Sequence, residues 1–169
     1  MQVLDTSYQA PGNRNPVTGN FFHKAPIYNH NFEYPHMLKV EHIGIAVRQL
    51  SVSVPLFEKL LNSGCYKTEL VESEQVATAF FKSGDTKIEL VESSSAEGVI
   101  ARFIEKKGEG LHHIAFEVED IEAEMKRLQQ EGFVLLNETP KPGADNKLVC
   151  FLHPKNTNGV LIELCMERK

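Results

Sequence analysis

The sequence has few cysteines, no long apolar run and no excess of positive charge. Its three cysteines, Cys65, Cys150 and Cys165, are odd in number, widely spaced and set in apolar runs, which excludes a disulfide framework and a zinc knuckle. No apolar run approaches the roughly 20 residues that a helix needs to cross a bilayer. The net charge of −5 provides no field for collecting nucleic acid or anionic lipid. We therefore expect neither a nucleic-acid nor a membrane partner.

The N-terminal sequence predicts the compartment. The first residues, MQVLDTSYQA, contain neither a basic leader nor an apolar signal core. Thiols that are not paired as disulfides are typical of cytosolic proteins. Hydrophobic residues make up 41% of the 169 residues and charged residues 24%, as in ordinary globular domains. We expect a cytoplasmic protein.

Residues 1–36 differ in composition from the rest of the chain. They hold four of the eight prolines and five asparagines, and they lack aliphatic periodicity. This composition is typical of an irregular extension. Several aromatic side chains argue against plain disorder, because they offer apolar groups for docking on a surface. We predict an irregular N-terminal extension over 1–36 and one domain over 37–169.

Strand and helix signals alternate from Lys39 onward. They follow the order β-α-β-β-β twice, over roughly 38–92 and 111–167. A further helix is predicted near Ile100–Lys107, between the two units. The pattern therefore predicts an α+β fold made of two similar modules.

The helices within the two modules have clear signals. The first is predicted over Ser53–Asn62, with Pro55 in its first turn. Its buried face is predicted to contain Phe57, Leu60 and Leu61. The second helix has Asp120 as its predicted N-cap. FVLLNE (133–138) follows this helix and is predicted as a strand.

The two modules align residue by residue at positions that carry chemistry. HIGIAV (42–47) corresponds to HIAFEV (113–118), and KIEL (87–90) corresponds to LIEL (161–164). Each module therefore begins with a histidine and ends with a glutamate. Strand alternation places each histidine and each glutamate on the face opposite the apolar, helix-covered side chains. If the sheets curl round one cavity, the four side chains converge: His42, Glu89, His113 and Glu163.

Two imidazoles and two carboxylates are a typical donor set for a divalent metal such as Co, Mn, Ni, Zn or Fe(II). A single histidine or glutamate on a strand is more often structural or solvated. The duplicated histidine and glutamate pattern favours a metal site over that simpler interpretation. His112 neighbours His113, so alternation points its side chain away from the cavity, in a structural or supporting role.

Several longer motifs carry a family resemblance. They are EHIGIAV (41–47), KIEL (87–90), GEGLHHIAFEVEDI (108–121), PGADNKLVCFLHPK (142–155) and GVLIEL (159–164). With these motifs the chain resembles the vicinal oxygen chelate (glyoxalase-type) superfamily, and within it the methylmalonyl-CoA epimerases. The resemblance covers about residues 38–167 and does not extend to 1–36.

The resemblance implies a fold, a reaction and a set of roles. Paired β-α-β-β-β modules form a curled mixed β-sheet around a cavity, with helices outside, and the chain forms a homodimer. One divalent metal ion, of uncertain identity among Co, Mn, Ni and Zn, is bound by His42, Glu89, His113 and Glu163. The substrate is an acyl-CoA, and Glu163 and Glu89 exchange its α-proton. Some epimerases have a glutamate base at the position of Thr78, which cannot act as a base near neutral pH.

Two alternative functions remain open at this point. A glyoxalase I-type lyase (lactoylglutathione lyase) uses a similar set of histidines and glutamates. A metal-free binding protein of the same fold, such as a drug-sequestering resistance protein, is the alternative from another class. Such a protein has no need of four convergent ligands, which counts against it here.

Overall fold

The structure is a computed structural model that describes residues 37–168, so the predicted extension over 1–36 lies outside the described residues. Within this range the chain forms three helices: α1 (Leu50–Leu61), α2 (Val99–Lys107) and α3 (Ile121–Gln130). It also forms eight strands: β1 (Met37–Ala46), β2 (Lys67–Val71), β3 (Val76–Ser83), β4 (Thr86–Ser93), β5 (Gly110–Val118), β6 (Lys141–Pro142), β7 (Lys147–Leu152) and β8 (Leu161–Glu167). None of these helices is long and apolar enough to cross a membrane.

The eight strands form one mixed sheet in the order β2-β3-β4-β1-β5-β8-β7-β6. β1 pairs with β4 and β5 pairs with β8 in parallel, and the other neighbouring strands are antiparallel. The two halves of this order have the same internal arrangement, and they join through β1 and β5 at the centre. The predicted fold of two paired β-α-β-β-β modules in a curled mixed sheet is confirmed.

Strand alternation separates the two faces of the sheet. The outer face packs against α1 in the first module, through side chains that include Ile45, Phe81 and Leu90. It packs against α3 in the second module, where Leu164 and Leu152 contact the helix cluster. The inner, concave face bears the polar side chains described below. α2 packs Ile100 and Ile104 against Ala46, Val76 and Val91 and closes one end of this face.

α1 begins three residues before the predicted start. The carboxylate of Glu92 on β4 accepts a hydrogen bond from the backbone N–H of Leu50 at 2.7 Å. This contact satisfies a backbone N–H group at the start of the helix, and the residues next to the helix start do not predict it. Pro55 is therefore the sixth residue of the helix and not part of its first turn. The prediction that Leu60 lies on the buried face is also wrong, since it is 70% exposed. The buried face is formed by Leu50, Val54, Phe57 and Leu61.

α3 follows its prediction closely. Asp120 is the N-cap, and its side chain accepts the backbone N–H of Ala123 at 3.0 Å. Ile121, Met125 and Leu128 are buried at i, i+4 and i+7, so one stripe of the helix covers the outer face of β7 and β8.

The segment 133–138 does not form the predicted strand. It makes one isolated bridge, between Leu135 and Leu152. The side chain of Asn137 accepts the backbone N–H of Phe151 at 3.1 Å, and this bond replaces the main-chain partner that a continued ladder would need. The sheet ends instead with the two-residue strand β6.

Polar contacts join the two edges of the sheet. Lys67 on edge strand β2 lies 2.9 Å from Asp145, in the loop between β6 and β7. Glu69 on β2 accepts the backbone N–H of Asp145 at 3.0 Å. Glu74, which follows β2, lies 2.5 Å from Lys141 on the opposite edge strand β6. These contacts hold the sheet curled round the concave face.

Candidate active site

The concave face encloses a cavity of about 240 Å³. Its polar floor contains all four residues that the sequence predicts as metal ligands. Apolar side chains from both modules and α2 form much of its wall: Val71, Val76, Val91, Ile100, Val149 and Leu161. The cavity therefore combines a small polar centre with an apolar surround, as in typical small-molecule sites.

Four adjacent strands each supply one of the predicted ligands: Glu89 from β4, His42 from β1, His113 from β5 and Glu163 from β8. The Nε2 atoms of His42 and His113 lie 2.9 Å apart. Glu89 Oε2 lies 3.4 Å from each of them. Glu163 Oε2 lies 3.4 Å from His113 Nε2 and 3.8 Å from His42 Nε2. The two carboxylates thus flank the histidine pair, and all four residues are at most 6% exposed.

A bulge in β1 adds Glu41 to the site. The pairing of β1 with β5 shifts register between Val40 and His42, so Glu41 has no partner of its own. Glu41 and His42 consequently both line the cavity. Glu41 Oε2 lies 2.7 Å from His42 Nδ1, and its other oxygen accepts from Lys87. Sequence reasoning missed Glu41, because strand alternation places it on the opposite face and periodicity does not reveal a bulge.

A second bulge, in β5, corrects the prediction for His112. Gly44 pairs with His113 but Ile45 pairs with Leu111, so His112 is the unpaired residue. The side chain of His112 therefore lines the cavity instead of pointing away from it. Its Nδ1 lies 2.9 Å from Nδ1 of His113. Burial lowers the pKa of His112 to about 4, so its ring is neutral, and a proton on one of the two Nδ1 atoms forms the hydrogen bond between the rings.

Burial and charge act on the titratable groups of the site in different directions. Burial raises the pKa of Glu163. Burial also opposes ionisation of Glu89, but a hydrogen bond from His113 and the charge of His42 outweigh it and lower the pKa of Glu89. Burial disfavours protonated His42, yet the hydrogen bond to Glu41 and the charges of Glu163 and Glu89 raise its pKa to about 9. The buried centre thus favours positive charge between the two imidazoles.

The donor set fits a bound cation. Glu41 accepts from Nδ1 of neutral His42, and when the proton between the Nδ1 atoms of His112 and His113 lies on His113, the Nε2 lone pairs of His42 and His113 are directed at one another. Two lone pairs at 2.9 Å repel unless a proton or a metal ion lies between them. Ligand atoms that share one cation at about 2.1 Å are about 3.0–3.4 Å apart. The 2.9 Å between the two Nε2 atoms and the 3.4 Å from each carboxylate to His113 Nε2 are close to these values and suit a single divalent ion, while Glu163 lies farther, at 3.8 Å, from His42 Nε2.

Cys165 lies close to this centre without belonging to the donor set. Its Sγ is grouped with Glu41 and His42 within 4.8 Å. It donates to the backbone carbonyl of Phe116 at 3.4 Å, and burial raises the thiol pKa well above its usual value. Since the thiolate is the metal-binding form, Cys165 is a packed thiol.

The sequence and the fold identify the family. Residues 41–151 match the profile of the Glyoxalase/Bleomycin resistance protein/Dioxygenase superfamily. The chain belongs to this superfamily.

Several members of the superfamily that are similar to this chain are named as methylmalonyl-CoA epimerases. An ethylmalonyl-CoA/methylmalonyl-CoA epimerase from Cereibacter sphaeroides is 38% identical over 128 residues, which cover 75% of this chain and 96% of that protein. The crystal structure of methylmalonyl-CoA epimerase from Mycobacterium tuberculosis matches with a TM-score of 0.76 at 30% identity, covering 79% of this chain and 91% of that one. The structure of a single-residue variant of Streptomyces coelicolor methylmalonyl-CoA epimerase, in complex with 2-nitronate-propionyl-CoA, matches with a TM-score of 0.74 at 29% identity. The match covers 79% of this chain and 99% of that one.

Proposed function

We propose that this protein is a methylmalonyl-CoA epimerase, which interconverts (R)- and (S)-methylmalonyl-CoA by α-proton transfer. One observation supports this above the others. Two buried carboxylates, Glu89 and Glu163, flank the His42–His113 pair within 3.8 Å inside one cavity. Epimerisation requires proton transfer on both faces of one carbon, and paired carboxylates suit that need.

A divalent ion, one of Co, Mn, Ni or Zn, is the proposed cofactor. The residues that would hold it are His42, His113 and Glu163, whose ligand atoms all lie within 4.8 Å of one another, and Glu89, whose carboxylate lies 3.4 Å from each Nε2. When bound, the ion would supply Lewis-acid stabilisation of the negative charge that develops as the α-proton leaves.

Glu163 and Glu89 are the proposed acid–base pair. The proton is acidic because the carbon that carries it lies between a thioester and a carboxylate. One glutamate accepts this proton, and the other returns a proton from the opposite side, which inverts the centre. A carboxylate that binds a metal tightly is a poor base, so the glutamate that accepts the proton would have to be the more loosely held of the two. Thr78 lies buried on the same face but has no group that accepts a proton near neutral pH.

The acyl-CoA substrate class rests on the relatives and on the shape of the cavity. The Streptomyces coelicolor epimerase that matches this chain binds an analogue of propionyl-CoA. In this protein the apolar wall surrounds the polar centre, so it excludes water from a charged intermediate and contacts the alkyl group of the substrate.

We also propose that the protein is a cytoplasmic homodimer. Three apolar side chains on α1, Val52, Leu56 and Leu60, are spaced at i, i+4 and i+8 and are 60–70% exposed. They form a stripe on the helix face opposite the core. A second copy of this chain would cover that stripe.

Two assays with one metal-stripped and metal-reloaded sample test the proposal. The first follows conversion of (S)- to (R)-methylmalonyl-CoA, and the second follows the hemithioacetal of methylglyoxal and glutathione. We expect turnover of the CoA thioester alone, lost on chelation and restored by metal. Turnover of the hemithioacetal instead would assign a glyoxalase I-type lyase, and metal-independent ligand binding without turnover would assign a binding protein.

A variant localises the metal within this test. His113→Ala should lose bound metal and activity while the fold remains, because the side chain faces the cavity and not the outer core. His153→Ala, on the loop between β7 and β8, is the matched histidine control. Full metal content in His113→Ala by elemental analysis would remove this assignment.

A further inference from the structure

The contact between Glu41 and His42 is part of a fixed buried arrangement. Glu41 is 4% exposed, and one of its oxygens accepts from His42 Nδ1 at 2.7 Å. The other oxygen accepts from Lys87 and lies 3.4 Å from Nζ of Lys147. Because both oxygens are engaged, the carboxylate cannot rotate away from the imidazole.

This arrangement sets the tautomer of His42. A carboxylate accepts hydrogen bonds but cannot donate one, so the proton of a neutral His42 lies on Nδ1. The lone pair of Nε2 then points at the centre of the site, where His113 Nε2 lies 2.9 Å away. An anionic acceptor behind an imidazole also makes the opposite nitrogen a stronger ligand.

The second module repeats the arrangement with a different hydrogen-bonding partner. His112 precedes His113 as Glu41 precedes His42, and each of the two residues lies on a bulge. Nδ1 of His112 lies 2.9 Å from Nδ1 of His113. The ring of Phe103 packs against His112 in an edge-on contact, with ring centroids 4.9 Å apart. His112 is thus held in place by packing, whereas Glu41 is held by two lysines.

We propose that Glu41 and His112 are positioning residues that direct the Nε2 lone pairs of His42 and His113 at the metal, with charged Glu41 contributing more than neutral His112. The proposal rests on the metal site of the proposed function. The observation that carries it is the pair of bulges, each of which brings a hydrogen-bonding side chain to 2.7 or 2.9 Å from the Nδ1 atom of a proposed ligand.

The test measures Co²⁺ binding to metal-stripped protein by calorimetry, without substrate. Glu41→Gln keeps the shape and a neutral acceptor but removes the charge, and the Kd for Co²⁺ should rise roughly 10- to 100-fold. Glu41→Asp, which keeps the charge, should recover part of this loss. His112→Phe keeps an aromatic ring against Phe103 but removes the ring nitrogen that contacts Nδ1 of His113. Its Kd for Co²⁺ should rise by less than that of Glu41→Gln.

A second readout separates positioning from general destabilisation. At a pH where His42 is neutral, imidazole ¹⁵N spectra of the metal-free wild type should show its proton on Nδ1, and Glu41→Gln should increase the Nε2–H form. Should Glu41→Gln not fold, Glu41→Gln/Lys147→Met removes one charge of each sign, and the same shifts in Kd and spectrum are expected of it.

The outcomes separate this proposal from the proposed function. If folded Glu41→Gln binds Co²⁺ with a Kd within twofold of the wild-type value, the proposed role of Glu41 is wrong. The same result for His112→Phe overturns the proposed role of His112. In either case, Co²⁺ binding by the wild-type protein still supports the proposed metal site. Failure of the wild type itself to bind Co²⁺ removes the metal site and this proposal together.

Discussion

The imidazole of His113 occupies the space that a side chain at position 44 would need. A Cβ atom on Gly44 would lie 2.1 Å from Cε1 of His113. The two residues are cross-strand partners on β1 and β5. Because residue 44 is glycine, the ring lies directly over the backbone of β1, and its Nε2 approaches Nε2 of His42 to 2.9 Å.

Gly44→Ala should therefore damage the site more than the fold. The ring of His113 must move away from β1, which separates it from His42. We expect weaker metal binding and a loss of activity of roughly 10²-fold, as for other small displacements of catalytic groups. Metal titration and thermal unfolding measure the two effects. Gly64→Ala is the matched control, since an added Cβ there meets no atom within 4 Å. Equal metal affinity in both variants would contradict this interpretation.

Single replacements of the two glutamates should have opposite stereochemical effects. Glu89→Gln and Glu163→Gln each remove one proton acceptor but keep a carbonyl oxygen as a possible ligand. Each should lower epimerisation by roughly 10²–10⁴-fold. In D₂O, each variant should fail to exchange the α-proton of one stereoisomer and still exchange that of the other. Metal content is measured beside the exchange. Near-full epimerisation by metal-loaded Glu89→Gln would reduce Glu89 to a ligand.

The contacts that join the sheet edges should make a modest, pH-dependent contribution to stability. Burial opposes ionisation of Asp145, but hydrogen bonds from Lys87 and Lys67 outweigh it and lower its pKa. The ionised form is thus favoured in the folded state, and its contribution is present above the unfolded carboxyl pKa of about 3.9 and lost as the pH falls through the folded value.

Asp145→Asn tests this contribution. Asparagine tolerates the left-handed backbone at this position, where φ is 53°, so the variant isolates the charge. We expect the free energy of unfolding to fall by about 1 kcal/mol at pH 7. The difference from wild type should shrink below about pH 3.9. Chemical denaturation measures it, with Asp85→Asn in the exposed β3–β4 turn as the control. A constant difference at all pH values would exclude the ion pairs as its cause.

The exposed stripe on α1 should control association. Leu56, at the middle of the stripe, is 60% exposed, and burying a leucine side chain contributes about 1.5–3 kcal/mol. Leu56→Asp should raise the dimer dissociation constant at least about tenfold, while Leu70→Asp, on β2, should leave it unchanged. Light scattering over a range of concentrations distinguishes them. A wild-type protein that stays monomeric throughout would remove the dimer.

Strand alternation was sufficient to predict that the four proposed metal ligands share the concave face. His42, Glu89, His113 and Glu163 each belong to a strand whose apolar partners form a clear alternating set, and the structure places all four in one cavity. Their convergence follows from the repeat, because the strands that carry the two histidines, β1 and β5, pair at the centre of the sheet, and the strands that carry the two glutamates, β4 and β8, flank them.

The features that alternation could not predict arise from contacts between distant residues. Glu41 and His112 reach the cavity through bulges, which are set by how β1 pairs with β5 about 70 residues away. The start of α1 depends on Glu92 of β4. The end of the ladder beside β7 depends on the side chain of Asn137. Local propensity carries no signal for any of these contacts.

Deuterium exchange at the α-carbon of methylmalonyl-CoA tests the central claim most directly. The wild-type protein is incubated in D₂O with a single stereoisomer, with metal, after chelation and after metal is restored. We predict incorporation of one deuterium at the α-carbon together with inversion, lost on chelation and recovered with metal. Metal-loaded protein that produces neither exchange nor inversion, or exchange that is unaffected by chelation, would contradict it.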